Sequence, residues 1–383
     1  MVVTNLSKMM SLNNFTLRNK IHLNKYIFLV LLLFSQSNNV IQAAVLADNR
    51  ADIMTHFYTG GGVTAQGPAV LVRKGNDRSY SVFASYYVDN VTSASIDVEA
   101  QASEYSEKRD EIALGIDYLY DDTITTFSYN NSEESDYLSD SLNIDMSQEF
   151  FTGMTTFNMG YSVSSDTVKR VDNDFSRELD RYRYRLGLSQ VLTKNWITNV
   201  NYESISEKGY LNNPYRSARV LGAYVPEVYP ETRTSEAYSF RSLTYFDWRG
   251  SLRFDYRFFT DTWGIESNTF EVGVSKYLGE KNIIEFGVRL YSQNKASFYS
   301  DNFAAEMVYM ARDKELSTFT DTTLKAKYSY HMFENDSGFF SKGIFTTSLS
   351  YIKFEYDDFT HYQTGAAYSY NAFVAQILLS LWY

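Results

Sequence analysis

Arg181, Arg183 and Arg185 stand two residues apart, Lys325 and Lys327 repeat that spacing, and Arg253, Arg257 and Arg289 fall in segments with the same rhythm. A spacing of two places side chains on one face of an extended strand. Asp97 and Glu99, followed by Asp117 and Asp145, do the same with the opposite sign earlier in the chain. If strands bearing these groups enclose a space, its lining has an acidic and a basic wall. The field between two such walls sorts solutes by charge and dipole without making or breaking a bond. The competing reading is that the charges pair across the space and fill it, because polar groups removed from water must find partners.

Covalent chemistry has less to work with. The 383 residues include no Cys, which removes thiolate nucleophiles, disulfides and thiolate metal sites together. Gly60-Gly61-Gly62 has no following Lys-Ser/Thr pair and no helix to open, so it reads as a flexible lead and not as a phosphate loop. No cofactor and no metal site is expected. A net charge of -11 disfavours nucleic acid as a partner, since phosphate binding needs a basic face.

The elements that would position the charges are strands. Tyr182, Tyr184, Leu186 and Leu188 alternate with Arg181, Arg183, Arg185 and Gly187, and Leu252, Phe254, Tyr256 and Phe258 alternate with Ser251, Arg253, Asp255 and Arg257. Ile284 to Tyr291 and Ala94 to Ser103 alternate in the same way. Each segment has one face for lipid and one for water. A soluble β-sandwich also alternates. These segments, however, are about ten residues long, and short connections alternate with long polar ones, as in transmembrane barrels. The short set includes 90–93, 120–123, 193–196, 246–250 and 279–282; the long set includes 165–180, 207–235, 295–316 and 357–368. The 33 Tyr and 27 Phe suit rings at a membrane interface, wet at one end and apolar at the other.

Counting back from the C-terminus in phase with the connections predicts an all-β, antiparallel up-and-down transmembrane barrel of about sixteen strands, with 14 and 18 left open. Its first strand is read at Ala69–Arg73, turning at Gly75-Asn76-Asp77. The segment 342–357 loses phase near Tyr351 and Ile352, which suggests a bulge or a misplaced strand end. At the C-terminus, Phe373, Ala375, Ile377, Leu379, Leu381 and Tyr383 share one face and the chain stops on an aromatic. This resembles the C-terminal insertion signal of outer-membrane proteins, in which the last residue is usually Phe.

Near the other end, Lys20 and Lys25 precede the apolar run Tyr26 to Phe34, and Ala43, Ala44 and Ala47 follow. That order is a secretion signal, and a run of roughly nine residues falls short of the ~20 a spanning helix needs. Cleavage is expected after Ala47, with Ala43 and Ala44 as alternatives. The organisation expected is a signal peptide with an N-terminal extension at 1–47, a periplasmic segment at 48–66 and the barrel at 67–383.

The segments Tyr86 to Val98, Tyr105 to Glu111, Gly67 to Arg73 and Gly209 to Arg216 resemble the bacterial family known as domain of unknown function 3570, over nearly all the mature chain. The resemblance implies an envelope barrel and carries over no catalytic residue. Asp357-Asp-Phe-Thr-His361 is similar to the Asp and His pairs of outer-membrane omptin proteases, although acidic loop residues also pair with divalent cations in lipopolysaccharide.

Pro214, Pro226 and Pro230 crowd one long connection together with Tyr210, Tyr215, Arg216, Tyr224 and Tyr229. Proline stiffens a loop and blocks strand pairing, so this segment is expected to constrict or cap the barrel. The function expected is a channel for small polar or charged solutes in the bacterial outer membrane. The alternatives are a non-catalytic envelope scaffold with an occluded barrel and an omptin-like hydrolase. The partners expected are outer-membrane lipid and lipopolysaccharide, the barrel-assembly machinery, and a periplasmic or lipoprotein partner.

Overall fold

The computed structural model describes residues 44–76, 78–93, 105–335 and 338–383. Among these residues eighteen strands follow one another: β1 (Arg50–Gly60), β2 (Val63–Gly75), β3 (Tyr80–Ser93), β4 (Tyr105–Tyr120), β5 (Thr123–Glu133), β6 (Tyr137–Phe150), β7 (Thr155–Lys169), β8 (Ser176–Thr193), β9 (Trp196–Gly209), β10 (Ser217–Val220), β11 (Ala223–Pro226), β12 (Thr232–Phe246), β13 (Gly250–Asp261), β14 (Glu266–Leu278), β15 (Asn282–Gln293), β16 (Phe319–Glu334), β17 (Lys342–Thr360) and β18 (Ala367–Trp382). All except β10 and β11 join one closed antiparallel barrel in which β1 pairs with both β2 and β18. Closure leaves no sheet edge unpaired, the condition for a sheet to sit in lipid. β10 and β11 form a separate hairpin in the connection between β9 and β12.

Alternation sets the two faces. Leu114, Leu188, Phe254, Val272, Phe286 and Ile377 point outward and are exposed. A continuous outward apolar belt of this kind would be an aggregation liability in water and is the lipid face of a membrane barrel. The residues between them, including Arg181, Arg183, Arg185, Arg253, Arg257 and Arg289, point inward. Phe373, Ile377, Leu379 and Leu381 of β18 lie on the outer face, in register with Thr59, Thr55, Ile53 and Ala51 of β1. Tyr383 closes the seam: its hydroxyl donates to the carbonyl of Arg73 (3.0 Å) and its amide to that of Asn49 (3.2 Å).

Three expectations are corrected. Residues 48–66 are not a periplasmic lead, because they hold β1, and Gly61 and Gly62, with φ of +57° and +78°, form the tight turn into β2. The alternation of β1 is blurred by Thr55 and Thr59 on its outer face and Met54 and Tyr58 on its inner face. The turn expected at 90–93 lies inside β3, which pairs directly with β4 from Tyr80↔Tyr118 to Ser93↔Tyr105. The strand expected over 94–103 lies outside the described residues, and the barrel closes without it. The count of sixteen survives because one strand missed and one strand added cancel. The phase loss at Tyr351 and Ile352 is not a bulge: Tyr351 faces out, Ile352 faces in, and the register shifts later, between Glu355 and Thr360.

Candidate functional site: a charged lumen under a loop cap

The inward bases are paired along the wall. Arg181 meets Glu207 (2.9 Å) and Asp166 (3.2 Å), Arg183 approaches Glu203 (3.7 Å) and Arg185 meets Asp145 (2.8 Å). Arg253 contacts Asp255 (2.8 Å), Glu271 and Glu285 (3.4 Å). Arg289 meets Asp321 (3.1 Å), Lys325 meets Glu271 (2.7 Å) and Lys327 meets Glu285 (3.1 Å). Asp117 binds Arg73 and accepts from Thr126 Oγ1 at 2.7 Å. Each of these pairs joins residues of one strand, of neighbouring strands, or of strands two apart.

Where a pair skips a strand, the intervening strand often carries a glycine. A Cβ at Gly160 would collide with Asp145 Oδ1 and Arg185 Nε, so the bare backbone of β7 lets the β6 carboxylate reach the β8 guanidinium. Gly273 and Gly287 lie in the same cross-strand row as Arg253 and Lys325, and leave room over β14 and β15.

The expected segregation into an acidic and a basic wall is therefore corrected. Glu203, Glu207, Asp166, Asp255, Glu271, Glu285 and Asp321 interleave with the bases, and the sequence reading missed them because only strand register brings them together. Asp97 and Glu99 lie outside the described residues. A further wall group was hidden with β1: His56 stacks on Tyr87 (5.1 Å) and its Nε2 lies 3.0 Å from Asp89 Oδ1.

The outer end is covered by two connections. Residues 210–231, which carry the β10–β11 hairpin, hold every residue expected in a capping loop. Tyr210 packs edge-on against Phe175 (5.0 Å), Pro214 accepts from Arg170 Nη1 (2.7 Å), and Tyr215 Oη accepts from the Val171 amide (2.9 Å). Tyr229 is buried, whereas Tyr224 is exposed and Pro226 ends β11 at the surface. Arg216 meets Asp313 (2.8 Å) of the second connection, 294–318, which was not expected to take part in the cap. The two share a core of Tyr229, Trp263, Phe298, Tyr299 and Leu316.

Arg312, 2 % exposed, anchors the cap by holding Asp301 (2.9 Å) and the carbonyl of Thr360 (3.0 Å), with its guanidinium 4.5 Å from the centre of the Phe359 ring. Glu227 ties the two connections together by accepting from Tyr229 Oη and from the Arg312 amide, both at 2.6 Å. Burial, reinforced by nearby Asp313, pushes its carboxyl up to about 7.

Between the cap and the rim formed by β4 to β9 lies a cavity of about 840 Å³, reached by Arg181, Tyr215, Glu227 and Asp313. Glu107, Glu134 and Asp136 bring carboxylate oxygens within 4.8 Å of one another there, and burial together with Glu107 lifts Asp136 to about 6. Asp358 accepts from the Thr318 amide (2.8 Å), while His361 Nδ1 accepts from the Gln363 amide (3.2 Å). Both residues of the omptin-like pair thus serve the local loop structure.

Closed strand order, lipid-facing apolar belt and charged interior define an outer-membrane type β-barrel. The chain belongs to the family described as Protein of unknown function (DUF3570), whose model matches residues 48–184 and 176–341. No curated protein is significantly similar in sequence. Among solved structures, the siderophore receptor PirA from Pseudomonas aeruginosa is similar at 12% identity and a TM-score of 0.45, over 88% of this chain and 63% of the receptor. The CymD monoaromatic hydrocarbon channel is similar at 10% identity and 0.43, over 88% and 89%. A bacterial polysaccharide outer membrane secretin is similar at 8% identity and 0.48, over 88% and 100%. The chain thus spans less than two thirds of the PirA receptor, and its architecture rests on its own strand order and register.

Proposed function

We propose that the protein is an outer-membrane channel that passes small polar or charged solutes through a water-filled lumen, with the cap regulating the outer mouth. The observation that carries this reading is the direction of the ion pairs. Arg181, Arg185, Arg253, Arg289, Lys325 and Lys327 find carboxylates along the wall, so charge neutralisation does not draw opposite walls together and fill the centre. A barrel of sixteen strands is wide enough to leave an aqueous passage when its side chains stay on the wall. The lumenal arginines remain partly exposed, Arg183 at 41% and Arg185 at 36% of the side chain, as water-facing groups do.

Liposome swelling with sugars of increasing size tests the proposal. Proteoliposomes are expected to swell in a small neutral sugar and to swell faster when residues 210–231 are replaced by a short turn. Swelling no faster than protein-free vesicles, with both the native and the shortened loop, would overturn it in favour of an occluded scaffold.

A further inference from the structure

Arg257 is the exception among the inward bases. Among the described residues it has no carboxylate within ion-pair distance, and its guanidinium carbon lies 5.5 Å from the centre of the Phe259 ring. It borders a cavity of about 450 Å³ on the lumenal wall between β5 and β13. One row of cross-strand partners crosses this cavity: Arg257, Ser239, Asn201, Gly187, Asn158 and Ser147. Apart from Arg257 the row is neutral, and Gly187 leaves its middle without a side chain. Asn201 donates to Ser239 Oγ (3.1 Å) and to Asn199, which fixes its amide, while the Asn158 amide makes no side-chain hydrogen bond among the described residues. Asp145 and Glu203 enter the same cavity one row away, each beside its own arginine, Arg185 and Arg183.

We propose that this cavity is a binding site for a small hydroxylated monocarboxylate, held at its carboxylate by Arg257 and at its hydroxyls by Ser239 and Asn201, which follow it on the next two strands of the row. A guanidinium offers a planar fork of donors that matches a carboxylate. One unpaired positive charge balances one negative charge, whereas a dianion would bring its second charge toward Glu203, two residues from Asn201 on β9. The amides and hydroxyl of the row offer donors and acceptors in the mixture that a polyol needs. This site rests on the channel reading for its place on a transport path, but binding itself does not need flow.

Gluconate, with sorbitol as its neutral counterpart, tests the site in two measurements on the full-length protein. In a planar bilayer in potassium chloride, gluconate is expected to block the current and sorbitol to leave it unchanged. In Arg257→Gln the block, measured relative to that variant's own current before addition, should weaken at least about tenfold. In detergent solution, calorimetry should show gluconate binding to the native protein and its loss in Arg257→Gln. Equal gluconate sensitivity in both forms of a conducting protein, or sorbitol blocking as well as gluconate, would overturn the site and leave the channel standing. Gluconate binding without any conductance would keep the site and overturn the channel. Absence of heat with native protein would overturn the site directly.

Discussion

At the scale of single residues, the wall depends on small side chains as much as on charged ones. Gly160 gives Asp145 and Arg185 a path across β7, and any Cβ there meets both of them. Gly160→Val is therefore expected to break that ion pair and lower barrel stability by about 1–3 kcal/mol, measured as a lower temperature for the shift between folded and unfolded bands in a gel. A variant that unfolds at the native temperature would show that the strand-skipping pair has no structural role. The inward direction of Arg181, Arg185, Arg253 and Arg289 was legible from alternation alone. Their partners were not: Glu271 sits in a segment whose period says only that it faces inward, and its meeting with Arg253 and Lys325 follows from a register that pairs Asp255 with Glu271 and Gly287 with Lys325. Register is set by the neighbouring strands and turns, which no local pattern contains.

At the scale of elements, the cap is a small folded unit whose two halves come from connections far apart in sequence. Proline and tyrosine marked the half at 210–231. The half at 294–318 carried no comparable mark, because its role comes from Phe298, Tyr299 and Arg312 meeting residues of other loops. The buried Glu227 makes the join sensitive to pH. Its folded carboxyl titrates near 7 against an ordinary value of 4.5, so the stability it contributes is complete below about 4.5 and is lost as the pH rises through 7. The other charged groups at this join, Asp313 and Arg216, act on Glu227 in opposite directions, and burial outweighs both. Limited proteolysis should cut 210–231 and 294–318 faster at pH 8.5 than at pH 5.5, and Glu227→Gln should remove most of that difference. Cleavage that is faster at acid pH in the native protein would contradict this sign.

At the scale of the whole molecule, closure explains both what was legible and one cancellation of errors. Alternation and the phase of short and long connections sufficed for a barrel of about sixteen strands, yet β1 was concealed because its two faces differ little in polarity. The N-terminal boundary is open to a direct check. Ala44 and Leu46 are buried against Leu119 and Ile124; if the N-terminal segment is a removable signal, this contact survives cleavage after Ala43 and is lost on cleavage after Ala47. N-terminal sequencing of the exported protein is expected to begin at Ala44; a start at Asp48 would show that this packing belongs only to the precursor. The central claim, a conducting lumen beneath a cap, is tested most directly by single-channel recording of the purified protein in a planar bilayer. The account predicts discrete current steps that grow longer-lived when residues 210–231 are shortened, and a bilayer that stays silent with both the native and the shortened loop would contradict it.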